Sequence, residues 1–220
     1  MECLICNADY LVTVKPPELC CEETADGWGL CNRLRAEYPG FLAPVWRLDR
    51  GVGGVILYAR TPDAAAFFSA FVRDHALEKE YAAVLCGVPG SETGEMRDLL
   101  YFDRAKNKSY VVDRPRRGVK EAVLSYRVLR QWTDGGTGQP RCAVAIRLGT
   151  GRTHQIRVQF SSRGLPLLGD RRYGGAADPS RSGIALWCRS VSLPAYRAHP
   201  AVRAESECPF LKGVMDDVDG

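Results

Sequence analysis

The sequence predicts one α+β domain over residues 1–220, built on a largely antiparallel sheet with flanking helices. Two observations carry that prediction. Short runs rich in β-branched and aromatic residues recur along the chain, separated by glycine, proline and aspartate, as in neighbouring hairpins. Helical spacing of apolar residues is confined to stretches near 27–38, 62–75 and 153–160. Strands grouped in this way, with helices interspersed, give an α+β layer rather than a wound parallel sheet.

Tyr10 to Lys15 is a short strand stopped by Pro16-Pro17. From Gly27 to Tyr38 the residues Leu30, Leu34 and Tyr38 share a helix face, and Pro39-Gly40 ends it. Val55 to Ala59 forms a buried strand. Thr61-Pro62-Asp63 opens a helix with proline at its first position, its apolar face being Ala66, Phe67, Ala70 and Phe71 and its end near His75. Strands follow at Lys79 to Gly87, Ser109 to Asp113, Ala122 to Arg130 and Cys142 to Leu148, with Asp134 to Gly138 a hairpin loop. Ile156 and Phe160, four apart, mark a short helix with Thr153 as its N-cap. Arg157 begins at the edge of its buried face, where an arginine needs a carboxylate partner. Ile184 to Arg189 is the expected final strand, and the acidic tail, Val214 to Gly220, is expected to fray.

Composition narrows the function. With 45% apolar and 25% charged residues, the chain can bury a sizeable core and has the charge content of a globular protein. No apolar stretch has the length of a membrane span and no basic-then-apolar leader opens the chain, so a soluble intracellular protein without a membrane partner is expected, its compartment (cytosol, nucleus or organelle) undetermined. The formal net charge of +4 permits nucleic-acid binding without arguing for it, so an RNA footprint must come from clustering. Clusters occur at Arg114, Arg116, Arg117 and Lys120, at Arg152 and Arg157, and at Arg163, Arg171 and Arg172. Nine cysteines point to reduced thiols. Cys3 and Cys6 have metal-ligand spacing and Cys20, Cys21 and Cys31 could complete a set, but no second CxxC or His-rich partner follows, and no metal is assigned.

The stretch that stands out is Trp46-Arg47-Leu48-Asp49-Arg50-Gly51-Val52-Gly53-Gly54. An Asp between two arginines stays ionised, and three glycines close behind it suit a special backbone or the close approach of something large. Such a carboxylate is either a nucleophile toward a polyanion or the head of a plain turn.

Arg47-Leu48-Asp49, Lys79-Glu80-Tyr81-Ala82-Ala83-Val84 and Gly151-Arg152-Thr153-His154-Gln155-Ile156-Arg157-Val158 together resemble three motifs of the RluA-type pseudouridine synthases, in the same order. The likeness extends to Val14-Lys15-Pro16, to the run from Leu165 to Gly174, to Ala185-Leu186 and to His199-Pro200. It implies a catalytic domain on a mixed sheet, without the separate N-terminal RNA-binding module of many relatives. It also implies an RNA substrate, rRNA or tRNA, in which one uridine is isomerised, and no cofactor. By this resemblance Asp49 is the nucleophile, Tyr81 stacks on the uracil and handles a proton, and Arg157 forms an ion pair with Asp49. Arg47 helps hold the target nucleotide out of its helix and Ile156 packs beside the base, while Arg50 and Arg152 are further substrate contacts. The chain departs from the pattern where Trp46 replaces a His, Val52-Gly53-Gly54 replaces Thr-Ser-Gly, and Trp187-Cys188 replaces His-Ala. Those departures keep open an alternative, a catalytically silent RNA-binding subunit of a ribonucleoprotein assembly. A monomer is the expected oligomeric state.

Overall fold

The structure is a computed structural model that describes residues 1–178 and 182–211. Strands β1 (Cys3–Cys6) and β2 (Tyr10–Lys15) precede helix α1 (Leu30–Glu37), and β3 (Ala43–Pro44) and β4 (Gly53–Ala59) precede helix α2 (Pro62–Arg73). Five strands follow: β5 (Lys79–Leu85), β6 (Thr93–Asp103), β7 (Lys108–Val112), β8 (Val119–Thr133) and β9 (Pro140–Leu148). Helix α3 (Gln155–Ser161), a 3-10 turn (Arg171–Tyr173), β10 (Leu186–Leu193) and β11 (Val202–Glu205) complete the order. The α+β class holds, with mixed and largely antiparallel strand pairing. By internal contacts the chain divides into two compact units, Met1–Glu80 with Trp187–Cys208, and Tyr81–Leu186 with the described residues from Pro209.

In the first unit β4 is central. It pairs antiparallel with β2, from Tyr10↔Ala59 to Lys15↔Gly54, and parallel with β10 through Trp187↔Gly53 and Cys188↔Gly54. Every residue of β2 and β4 is buried, which explains why both appear in the sequence as near-continuous apolar runs. Helix α2 is capped as expected, Thr61 Oγ1 accepting from the Ala64 amide at 3.2 Å, and Phe68 packs edge-on to Tyr10. Tyr58 is fully buried, and its hydroxyl donates to the Cys21 carbonyl at 2.6 Å, tying the segment after Pro17 to the sheet.

In the second unit β8 pairs antiparallel with both β6 and β9, and β7 lies outside β6. Met96, Leu100, Ala122 and Leu124 alternate onto one face, which α3 covers, and Val158 joins Leu100, Ala122 and Tyr173 in one core cluster. Glu95, Arg97, Ser125 and Arg127 alternate onto the opposite face and are exposed.

Several expected boundaries move. The helix expected from Gly27 begins at Leu30, because Trp28 lies outside the apolar stripe and is exposed. Helix α3 begins after His154, which adopts a left-handed conformation at the N-cap position, so Thr153 is not the cap. Strand β6 was not expected, since its exposed face makes Glu95-Met96-Arg97-Asp98 look like a loop. The strand expected at Ile184–Arg189 runs Leu186–Leu193 and is not the last, since β11 pairs beside it. The expected frayed tail, 214–220, lies outside the described residues. No helix of the described residues is long and apolar enough to cross a membrane.

Tyr58→Phe removes the hydroxyl that donates to the buried Cys21 carbonyl and should cost about 1–2 kcal/mol in urea unfolding, with the fold intact.

Candidate active site

Asp49 heads a turn. The Val52 amide donates to its carbonyl at 2.9 Å, so the chain reverses over Arg50-Gly51 and enters β4. The backbone here is a turn, and it leaves the half-buried Asp49 side chain at the sheet's entrance. Arg47 and Arg50 are exposed beside it, Arg47 Nη1 lying 3.1 Å from Glu22 and Arg50 Nε donating to the Glu18 carbonyl at 3.0 Å.

Beneath the turn lies a cation that the sequence reading did not single out. Lys15 is fully buried, and its ammonium donates to the carbonyls of Leu19 at 2.8 Å, Pro16 at 3.0 Å and Arg50 at 3.1 Å. All three ammonium protons are thus spent on main chain, which fixes the turn from below. Burial pulls the Lys15 ammonium from 10.5 down to about 8, against smaller upward pulls from Cys21, Cys20, Asp49 and Glu18. Cys21 completes the support: its thiol lies 3.2 Å from both the amide and the carbonyl of Leu48, and burial pushes it up to about 11. Cys21 is therefore a structural thiol. Among the described residues no three Cys, His, Asp or Glu side chains gather as a metal site would require.

The departures from the family pattern explain one another. Trp187 is the register partner of Gly53, and a Cβ on Gly53 would lie 2.2 Å from Cζ3 of that indole. The bulk gained at Trp187 occupies the space vacated at Gly53, directly after the Asp49 turn. A Cβ on Gly54 would meet the Cys188 main chain at 2.2–2.8 Å, so glycine is required there for close strand approach. Trp46 is buried with the Lys79 ammonium 5.1 Å from its ring centroid, so it packs.

The second unit carries the other motif residues. Gln155 stitches the Gly149–His154 loop: its Oε1 accepts from the Arg152 amide at 3.0 Å and the Thr150 hydroxyl at 2.7 Å, and its Nε2 donates to the Val123 carbonyl at 3.0 Å. Arg157, one turn into the helix, is met by Asp170 in a buried two-pronged pair, Nε to Oδ2 at 2.6 Å and Nη2 to Oδ1 at 2.9 Å. This pair holds one edge of the guanidinium flat and in a single rotamer. The face of the same group lies 5.0 Å from the Tyr173 ring centroid. Tyr173 is itself anchored, its hydroxyl accepting from the Ser109 amide at 2.7 Å and lying 2.9 Å from His154 Nδ1. His154 therefore reaches a residue 19 positions along the chain.

Each residue singled out in the sequence can now be placed. Arg47, Asp49 and Arg50 share one turn of the first unit. Tyr81, buried on β5, belongs to the second unit with Arg152, Ile156 and Arg157, the last three on one continuous loop and helix. Arg152 Nε donates to the Glu121 carbonyl at 2.8 Å, which anchors part of a side chain expected to face RNA. The reading missed Lys15 and Asp170. A lysine in an otherwise apolar strand end was the signal for the first, and the need of Arg157 for a carboxylate was the signal for the second.

The sequence matches the family model described as RNA pseudouridylate synthase over residues 9–162. It is 30% identical to an uncharacterized RNA pseudouridine synthase of Zymomonas mobilis over 218 residues, 97% of this chain and 95% of the relative. It is 32% identical to the chloroplastic RNA pseudouridine synthase 2 of Oryza sativa over 134 residues, 60% of this chain but only 29% of that longer protein. Human RNA pseudouridylate synthase domain containing 1 shares the fold, with a TM-score of 0.78 at 22% identity over 97% of this chain and 85% of the human one.

Two outcomes follow from this geometry. Gly53→Ser alone should cost about 1–3 kcal/mol in urea unfolding, and adding Trp187→His should recover about 1 kcal/mol or more; strictly additive losses would refute the pairing. For Lys15 the unfolded chain binds its proton up to 10.5 and the native chain only to about 8, so this contribution to stability is complete above 10.5 and lost as pH falls through 8. The stability difference between wild type and Lys15→Met should therefore rise in favour of wild type by about 1 kcal/mol from pH 7 to pH 9, measured by urea unfolding at each pH.

Proposed function

Because the chain belongs to the RNA pseudouridylate synthase family, with RluA-type motifs, we propose that it isomerises a specific uridine of structured rRNA or tRNA through a covalent bond to Asp49. In this reading the Asp49 carboxylate attacks C1′ of the uridine and breaks the C1′–N1 bond, and the freed uracil leaves as an N1 anion. The ring turns to present C5 to C1′, and bond formation there expels the carboxylate. The C5 proton is then lost and N1 gains one, so no atom is added or removed and no cofactor is consumed. Tyr81 stacks on the uracil and handles a proton, and Ile156 packs beside the ring. Arg157 aligns the carboxylate and offsets its desolvation, while Arg47 fills the space left when the nucleotide is extruded. Arg50 and Arg152 contact the backbone, where charge positions the RNA without reading its sequence.

The single observation that supports this reading best is the support under Asp49. A free Asp, with a pKa of about 3.9, is ionised at neutral pH, so the protein's task is to hold the group still. A buried ammonium on three carbonyls, a thiol on Leu48 and a Trp–Gly pair behind the turn are a costly arrangement for an ordinary surface loop. The clamp of Asp170 on Arg157 has the same character of a group locked by its neighbours.

The test is site-resolved pseudouridine mapping of total cellular RNA treated with purified protein. Wild type should create new pseudouridine, and Asp49→Asn should fall below about one thousandth of the wild-type rate while still binding RNA. A wild-type protein that modifies no cellular RNA would overturn the proposal, and rescue of a null strain by Asp49→Ala would establish the silent RNA-binding subunit in its place.

A further inference from the structure

Residues 103–121 contain seven Lys and Arg against three Asp and Glu, a net +4 that equals the formal net charge of the entire 220-residue chain. The rest of the chain is neutral in sum. The positive excess therefore sits on the strand ends and loops that join β6, β7 and β8.

The same hairpins present a pair of aromatic rings. Tyr101 and Tyr110 face each other directly across β6 and β7, and Leu99↔Val112 is the next such pair on that face. Leu100 points inward to the core that α3 covers, so Tyr101 and its partner point to the opposite face, on which Glu95 and Arg97 of β6 are exposed. Both tyrosines are half-buried. A cation stands over each ring, Arg116 Cζ at 4.7 Å from the Tyr101 centroid and Lys108 Nζ at 5.7 Å from that of Tyr110. Lys108 Nζ also lies 5.1 Å from the Tyr173 ring, on which the Arg157 guanidinium rests. The acidic residues here already have company: Asp103 accepts from the Lys106 amide at 3.1 Å, Glu121 lies 2.9 Å from Arg97, and Asp113 lies 3.9 Å from Arg114.

We propose that this face is a second RNA contact, on which unpaired bases flanking the target uridine stack on Tyr101 and Tyr110 while Arg116 and Lys108 move to the adjacent phosphates. It rests on the RNA-modifying reading above and names a substrate feature for it, a single-stranded flank. Aromatic rings beside a basic stripe suit a strand whose base faces are open. A protein partner would favour a patch depleted of charge at its centre, and a duplex keeps its base faces stacked and out of reach.

Fluorescence anisotropy with a labelled oligouridylate and with a blunt RNA duplex separates these cases. Tyr101→Leu/Tyr110→Leu keeps an apolar cross-strand pair, and it should weaken oligouridylate binding by about tenfold or more while leaving the salt dependence unchanged. Arg114→Ala/Arg116→Ala/Arg117→Ala should instead reduce the slope of log affinity against log salt by about 2. Cross-linking of 4-thiouridine RNA to Tyr101 or Tyr110 in the wild-type protein supplies a measure that needs no variant. The proposal is overturned if the tyrosine variant binds oligouridylate like wild type, if the duplex binds wild type as tightly as the single strand, or if the tyrosine variant abolishes self-association of the wild type. Binding is read without turnover, so an inactive wild type that still loses oligouridylate on the tyrosine change would sink the isomerase reading and leave this contact standing.

Discussion

One buried ammonium ties the Asp49 turn to the strand and the segment that precede it. Lys15 gives its protons to three carbonyls from separate points of the chain, Pro16, Leu19 and Arg50, and so joins the end of β2, the segment after Pro17 and the Asp49 turn. Taking that charge out of water costs free energy, as the lowered ammonium affinity for its proton records. A neutral side chain of the same length could not donate three hydrogen bonds to converging acceptors. The energy spent is thus the condition for a rigid turn at the mouth of a fully buried strand.

The second unit solves a related problem with opposite charges. Arg157 projects from a helix of two turns, too short to be rigid alone, and its direction is set from outside by Asp170. Tyr173 lies under the guanidinium and is tied in turn to Ser109 and His154, so helix, 3-10 turn and β7 share one network. The polar parts of this network are paired, which is what a buried ionic group requires to persist.

Much of this was legible in the sequence because the signals were local. The buried strands β2 and β4 stand out through their apolar runs, α2 through Thr61-Pro62, and the Asp49 turn through its glycines. Strand β6 was hidden because an exposed face gives it the composition of a loop, and α3 was misplaced by one residue because His154, not a Ser or Thr, ends the turn before it. Lys15 and Asp170 escaped for a different reason: each acquires its role from a partner distant in sequence, Arg50 for the first and Arg157 for the second. Spacing along a chain cannot express such a pairing. Replacement of Ser by Gly at position 53 likewise acquires meaning only through Trp187, which the parallel register sets against it.

The concentration of charge on the β6–β7–β8 hairpins has a consequence for how this molecule meets a polyanion at a distance. Seven cations against three carboxylates on one short stretch raise the local positive potential, and that field draws a polyanion before any atom touches. At physiological salt that attraction reaches one Debye length, about 8 Å, beyond the hairpins themselves.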